Sequence, residues 1–140
     1  MNKLNKWLLP SAMIVAMLIT TANAMADGVV AIVNNANTSA DKATIGKLFT
    51  GRAKSWSNGD RAKLYDLSDQ GERDAFCNTY TGKDAGAIKA IWAQAVFAGR
   101  GVPPEVLSSD DAVKKAVASE KNAVGYIKES SLDSTVKVVR

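Results

Sequence analysis

Apolar positions recur along this chain in two rhythms. The run GVVAIVN, Gly28 to Asn34, is nearly continuous and rich in β-branched residues, which predicts a strand buried in a mixed or parallel sheet. In DKATIGKLFTG the apolar Ile45, Leu48 and Phe49 share one helical face, and Gly51 supplies the stop. After RAKSWSNGD, a connection with an Asn-Gly turn signal, AKLYDL reads as a second strand. The segment GERDAFCNTYTG then predicts a helix with Phe76 and Tyr80 four apart and Gly82 as its end. The most regular helix is DAGAIKAIWAQAVFAG. There Ile88, Ile91, Trp92, Ala95 and Val96 form one apolar stripe, and Trp92 and Phe97 are expected in the core. RGVPPEVL is predicted as a loop, because Pro103-Pro104 cannot continue a helix. SSDDAVKKAVASEKN opens with a Ser cap and an acidic first turn, and turns Val113, Ala116 and Val117 inward. AVGYI and TVKVV complete the pattern as strands. The order β-α-β-α-α-α-β-β predicts an α/β domain whose mixed sheet is flanked by helices.

The first 26 residues change the setting of that domain. Lys3 and Lys6 precede a mostly apolar run, Trp7 to Ile19, which is too short to span a bilayer but suits a signal peptide. Ala22-Asn23-Ala24 and Ala24-Met25-Ala26 both offer a small-x-small cleavage pattern. Export to the periplasm is therefore expected, with residues 27–140 as one domain. Without Lys3 and Lys6, 16 basic residues stand against 14 acidic ones, a net charge of +2. The basic residues are scattered, which argues against nucleic acid. Cys77 is the only cysteine, so no internal disulfide can form; it reads either as a small buried side chain or as a thiol for intermolecular pairing. The absence of histidine removes the usual parts of zinc sites and of most catalytic triads. No cofactor and no enzymatic activity are expected; the nearest pair for a carboxylate-only hydrolase is Asp66 with Glu72.

The candidate chemistry lies in LYDLSDQGERDAF, Leu64 to Phe76, where a strand, a turn and a helix start follow one another. A helix N-terminus presents free backbone N–H groups and partial positive charge. Gly71 allows close approach to the backbone, and Arg73 is suited to a fork around an oxyanion. Against this, Asp69 and Glu72 have capping-box spacing and satisfy the same N–H groups, and Asp66 adds a further negative charge. A carboxylate about 4 Å from a bound anion costs roughly 1–4 kcal/mol. Spacing alone leaves both readings open, a capped helix or an anion site.

The chain resembles the substrate-binding proteins of phosphate ABC transporters, which are type II periplasmic binding proteins. The resemblance runs through VAIVNNAN, IGKLFTGRAKSWSNGD, QGERDAF, IWAQAVFAGRGVPP and SSDDAVKKAVASEKNAVGYI, in that order. It implies a single lobe of a fold that in full-length members clamps phosphate between two. The family's Ser-Gly-Thr-Arg stretch falls on Gln70, Gly71, Glu72 and Arg73, so Gly71 and Arg73 are kept while Glu72 replaces a hydroxyl donor. The resemblance implies a small oxyanion held by backbone N–H groups at Gly71 and Glu72, with Ser68 and Gln70 donating and Arg73 as counter-charge. Asn34, Asn35 and Asn37 reach that site from the first strand's loop or are ordinary turn residues. Trp56 lines a groove or caps the core, and Arg100 meets an anion or solvent. The expected partners are phosphate or a similar oxyanion and a membrane transporter or sensor, or a second copy of the chain. The alternative is an envelope interaction module that has kept the fold and lost the ligand.

Overall fold

The computed structural model describes residues 28–140, so the expected signal peptide and its cleavage points lie outside the described residues. The apolar run forms β1 (Val29–Val33), with Val30 to Val33 buried. Helix α1 (Lys42–Phe49) starts at Asp41, whose carboxylate accepts from the Thr44 N–H at 2.8 Å, and buries Ile45, Leu48 and Phe49. Then come β2 (Lys63–Leu67) and α2 (Gln70–Phe76), which continues into a π-helical turn, Cys77–Thr81. Gly82 ends that turn with φ of 72°, a left-handed conformation that glycine adopts without strain. Helix α3 (Ala85–Phe97), β3 (Glu105–Leu107), α4 (Asp110–Ser119), β4 (Ala123–Lys128) and β5 (Lys137–Val139) follow.

The five strands lie in the order β3-β2-β4-β1-β5. β2 runs parallel to both β3 and β4, while β1 is antiparallel to β4 and β5. The predicted mixed α/β class is what the chain adopts. The predicted loop RGVPPEVL is corrected in its second half: Glu105–Leu107 pairs with Tyr65–Leu67 as an edge strand. It begins just after Pro103-Pro104, and an edge strand tolerates prolines where a central one does not.

Helix α4 covers one face of the sheet. Gly125 lets it settle there, because a Cβ at that position would come within 2.6 Å of Val113. The opposite face carries α1, α2 and the π-helical turn over an aromatic core. Phe76 stacks on Tyr126 at 4.1 Å and on Tyr80 at 5.0 Å, and meets the edge of Phe49 at 4.7 Å. Trp56 is buried and donates its indole N–H to the Asn122 carbonyl at 3.0 Å, so it closes one end of the core. Cys77 is buried as a small apolar group, and burial pushes its thiol up to about 11.

The long helix α3 departs from expectation. Its stripe has the right spacing, yet only Ala85 and Ile88 are fully buried. Ile91 and Trp92 are half-buried, Val96 is exposed, and Phe97, expected in the core, is 93% exposed. An amphipathic stripe says that a helix seeks an apolar partner, not that its own domain supplies one.

Candidate functional site

The parallel register brings the carboxyl ends of β2, β3 and β4 to one edge, where α2 and α4 also begin. In open α/β sheets this is the edge at which ligands bind. Ser68, Gln70, Gly71, Glu72 and Arg73 are all at this edge. Ser68, Gln70 and Gly71 are exposed.

The groups that an oxyanion would use are largely engaged within the chain. Asp69 is the N-cap of α2, and its carboxylate accepts from the Glu72 N–H at 2.9 Å. Gln70 donates its amide to Asp74 at 2.9 Å. The Ser68 N–H is taken by the Leu107 carbonyl at 3.0 Å. Arg73 turns back toward the sheet: one guanidinium N–H donates to the Leu67 carbonyl at 2.8 Å, and Nε lies 3.4 Å from Asp66. Asp66 also accepts from the Tyr126 hydroxyl and from the Leu67 N–H at 2.9 Å. Burial, and then the neighbouring Asp66 charge, keep the Tyr126 hydroxyl protonated and so a donor. Arg73, Asp66 and Tyr126 thus form a partly buried network that locks α2 to the end of β2.

Glu72 points away from solvent, toward α4. It is buried, its Oε2 has no hydrogen-bond partner among the described residues, and its Oε1 lies 3.7 Å from Lys128 Nζ. Burial raises its carboxyl to about 7, and the neighbouring Asp110 carboxyl adds to the rise. Asp110 is itself held in place, accepting from the Lys128 N–H at 3.1 Å and the Ser131 hydroxyl at 2.8 Å. Asp66 and Glu72, the pair considered for hydrolysis, therefore turn to different partners.

Asn34 does not join this group, a correction set by strand direction. β1 is antiparallel to β4, so Asn34 lies at the opposite edge. There its amide donates to the carbonyls of Val117 and Ala118, both at 3.0 Å, and closes the C-terminal end of α4. Asn35 donates to the Ser134 carbonyl, and Asn37 Oδ1 closes a local turn to Ser39. In place of Asn34, the edge gains Asp110, Tyr126, Lys128 and Ser131. Asp110 was visible in SSDD only as a helix-start residue; nothing local in the sequence links it to Glu72.

No protein-family model and no curated protein matches the sequence. Solved structures do match in shape. A protein assigned to the phosphate ABC transporter substrate-binding class, from Clostridium perfringens and with bound phosphate, superposes with TM-score 0.62 at 19% identity, covering 81% of this chain and 44% of the other. An ABC-type phosphate transport receptor from Vibrio cholerae gives TM-score 0.59 at 17% identity, with 81% and 46% coverage. The fold is that of a periplasmic binding protein. PstS from Borrelia burgdorferi shares it at TM-score 0.53 and 12% identity, again over 81% of this chain and 46% of the other. The chain spans less than half the length of these structures. At such identities the likeness establishes the fold, which the quoted motifs had suggested.

Proposed function

We propose that this chain is an exported relative of the phosphate-transport binding proteins that works by contact with a protein partner and does not itself hold phosphate. The observation that carries this reading is the state of the α2 N-terminus. Asp69 caps it, Glu72 is buried against Asp110, and Arg73 is committed to Asp66 and the Leu67 carbonyl. A phosphate arriving here would face Asp66, Asp69, Glu72 and Asp110 with Arg73 and Lys128 already paired. The role needs no catalytic group, in keeping with a chain that has no histidine. The partner belongs with a transporter of the phosphate ABC type, as in the neighbours of like fold, and the outer face of α3 around Val96 and Phe97 gives it an apolar contact.

A second reading keeps a weak oxyanion at the same edge. It is favoured by the exposure of Ser68, Gln70 and Gly71 and by the phosphate bound in the Clostridium perfringens structure. Isothermal titration calorimetry with inorganic phosphate at low ionic strength separates the two. The expected result is no saturable heat up to about 10 mM, which means a binding free energy weaker than about −3 kcal/mol. Saturable binding that Arg73→Ala abolishes supports the second reading and overturns the first.

A further inference from the structure

Beyond the edge just described, the other end of β2 borders a cavity of about 600 Å³ that lies under α3. Its floor is apolar: Leu48, Leu64, Ile91 and Trp92 line it. The Trp92 indole N–H is spent on the Phe49 carbonyl at 2.8 Å, which fixes the ring without using its face. Gly101 lies against that ring, where a Cβ would come within 3.3 Å of it. The volume falls within the range of pockets that enclose small organic ligands.

Its polar lining has one sign. Lys54, Arg61, Lys63 and Arg100 contribute to the wall, and no carboxylate does. Lys63 is paired with Glu105 at 3.1 Å, but Lys54, Arg61 and Arg100 have no ion-pair partner among the described residues. The segments that carry these three cations are tied to one another. Lys54 donates its ammonium to the Arg100 carbonyl at 2.6 Å. The Lys54 carbonyl accepts from the Ala62 N–H at 3.0 Å, and Ser55 pairs with Arg61 across the same narrow ladder. The cavity therefore combines cationic side chains in its wall with an apolar floor.

We propose that this groove binds an amphipathic organic anion, a carboxylate head on an apolar chain, with the head at Lys54, Arg61 and Arg100 and the chain over Trp92 and Ile91. A neutral molecule of the same shape would leave the cations unanswered; a small inorganic anion would leave the apolar floor wet. The site lies at the opposite end of β2 from Gly71 and Arg73, so it stands or falls independently of the phosphate question.

Dodecanoate and its uncharged counterpart dodecanol are suitable probes, kept below their aggregation limits and followed by calorimetry and by intrinsic tryptophan emission. Dodecanoate is expected to bind saturably at one site per chain and at least about tenfold tighter than dodecanol. The double variant Arg61→Glu, Arg100→Glu changes two exposed side chains, so far-UV circular dichroism should remain that of the parent while dodecanoate affinity falls at least about tenfold, the equivalent of about 1.4 kcal/mol. The proposal is overturned if dodecanol binds as tightly as dodecanoate, if neither binds below about 0.5 mM, or if charge reversal leaves the dodecanoate Kd unchanged.

Discussion

The two ends of β2 differ in how the chain treats its charges and its apolar surface. At the carboxyl end, Arg73 answers Asp66, Lys128 answers Glu72, and Asp69 caps α2. At the amino end, Lys54, Arg61 and Arg100 have no ion-pair partner among the described residues, and α3 leaves Val96 and Phe97 to solvent. The first end lies at the carboxyl edge of the parallel strands, where open α/β sheets bind ligands, and here its charged groups are paired within the chain. The second resembles ordinary surface in sequence, yet it offers apolar area and unmatched charge. The two ends of one strand thus present paired charge on one side and unpaired charge beside apolar surface on the other.

The largest expected effect contrasts two phenylalanines. Phe76 is 1% exposed and stacked between Tyr126 and Tyr80, so Phe76→Ala should cost about 3–5 kcal/mol in urea unfolding. Phe97→Ala should stay within about 0.5 kcal/mol, because the ring already stands in water. A comparable loss at both positions would mean that Phe97 also packs against the domain.

Next comes Arg73. As the partner of a partly buried Asp66, it should cost about 1–2 kcal/mol when replaced by Ala, measured in the absence of any anion. A side chain held ready for a ligand would be neutral to stability in that experiment.

A smaller effect distinguishes Glu72 by its pH dependence. Its folded carboxyl sits near 7, above the usual glutamate value, so between about 4.5 and 7 the folded state binds more protons than the unfolded one. The stabilisation from protonated Glu72 is therefore full below about pH 4.5 and is lost as pH rises through 7. Glu72→Gln keeps a donor toward Asp110 and should flatten this slope, raising stability at pH 8 by about 1 kcal/mol. Urea midpoints between pH 5 and pH 8 provide the measurement; parallel slopes for the two proteins would sink this assignment.

The smallest is Asn34→Ala, which frees the carbonyls of Val117 and Ala118 at the far edge. It should cost about 0.5–1.5 kcal/mol and leave any response to phosphate unchanged.

Much of this architecture was legible because local patterns and burial agree. GVVAIVN became a buried strand, and Ile45, Leu48 and Phe49 reached the core at their helical spacing. Glu105–Leu107 was hidden by its brevity and by the two prolines before it. In α3 the periodicity was visible but its burial was not, since burial depends on what packs opposite. At the candidate site the Asp69–Glu72 cap was legible, its two residues being three apart, whereas the meeting of Glu72 with Asp110 depends on two helices starting at one sheet edge. Asn34 was misplaced for the same reason: a residue's edge is set by strand direction, which sequence spacing does not carry.

The most direct test of the closed edge is to follow the backbone amides of Gly71, Glu72 and Arg73 by nuclear magnetic resonance while inorganic phosphate is added at low ionic strength. The account predicts that these three signals move no more than those of exposed residues elsewhere, up to about 10 mM. Saturable shifts at Gly71 and Glu72, lost on Arg73→Ala, would contradict it and return phosphate to this edge.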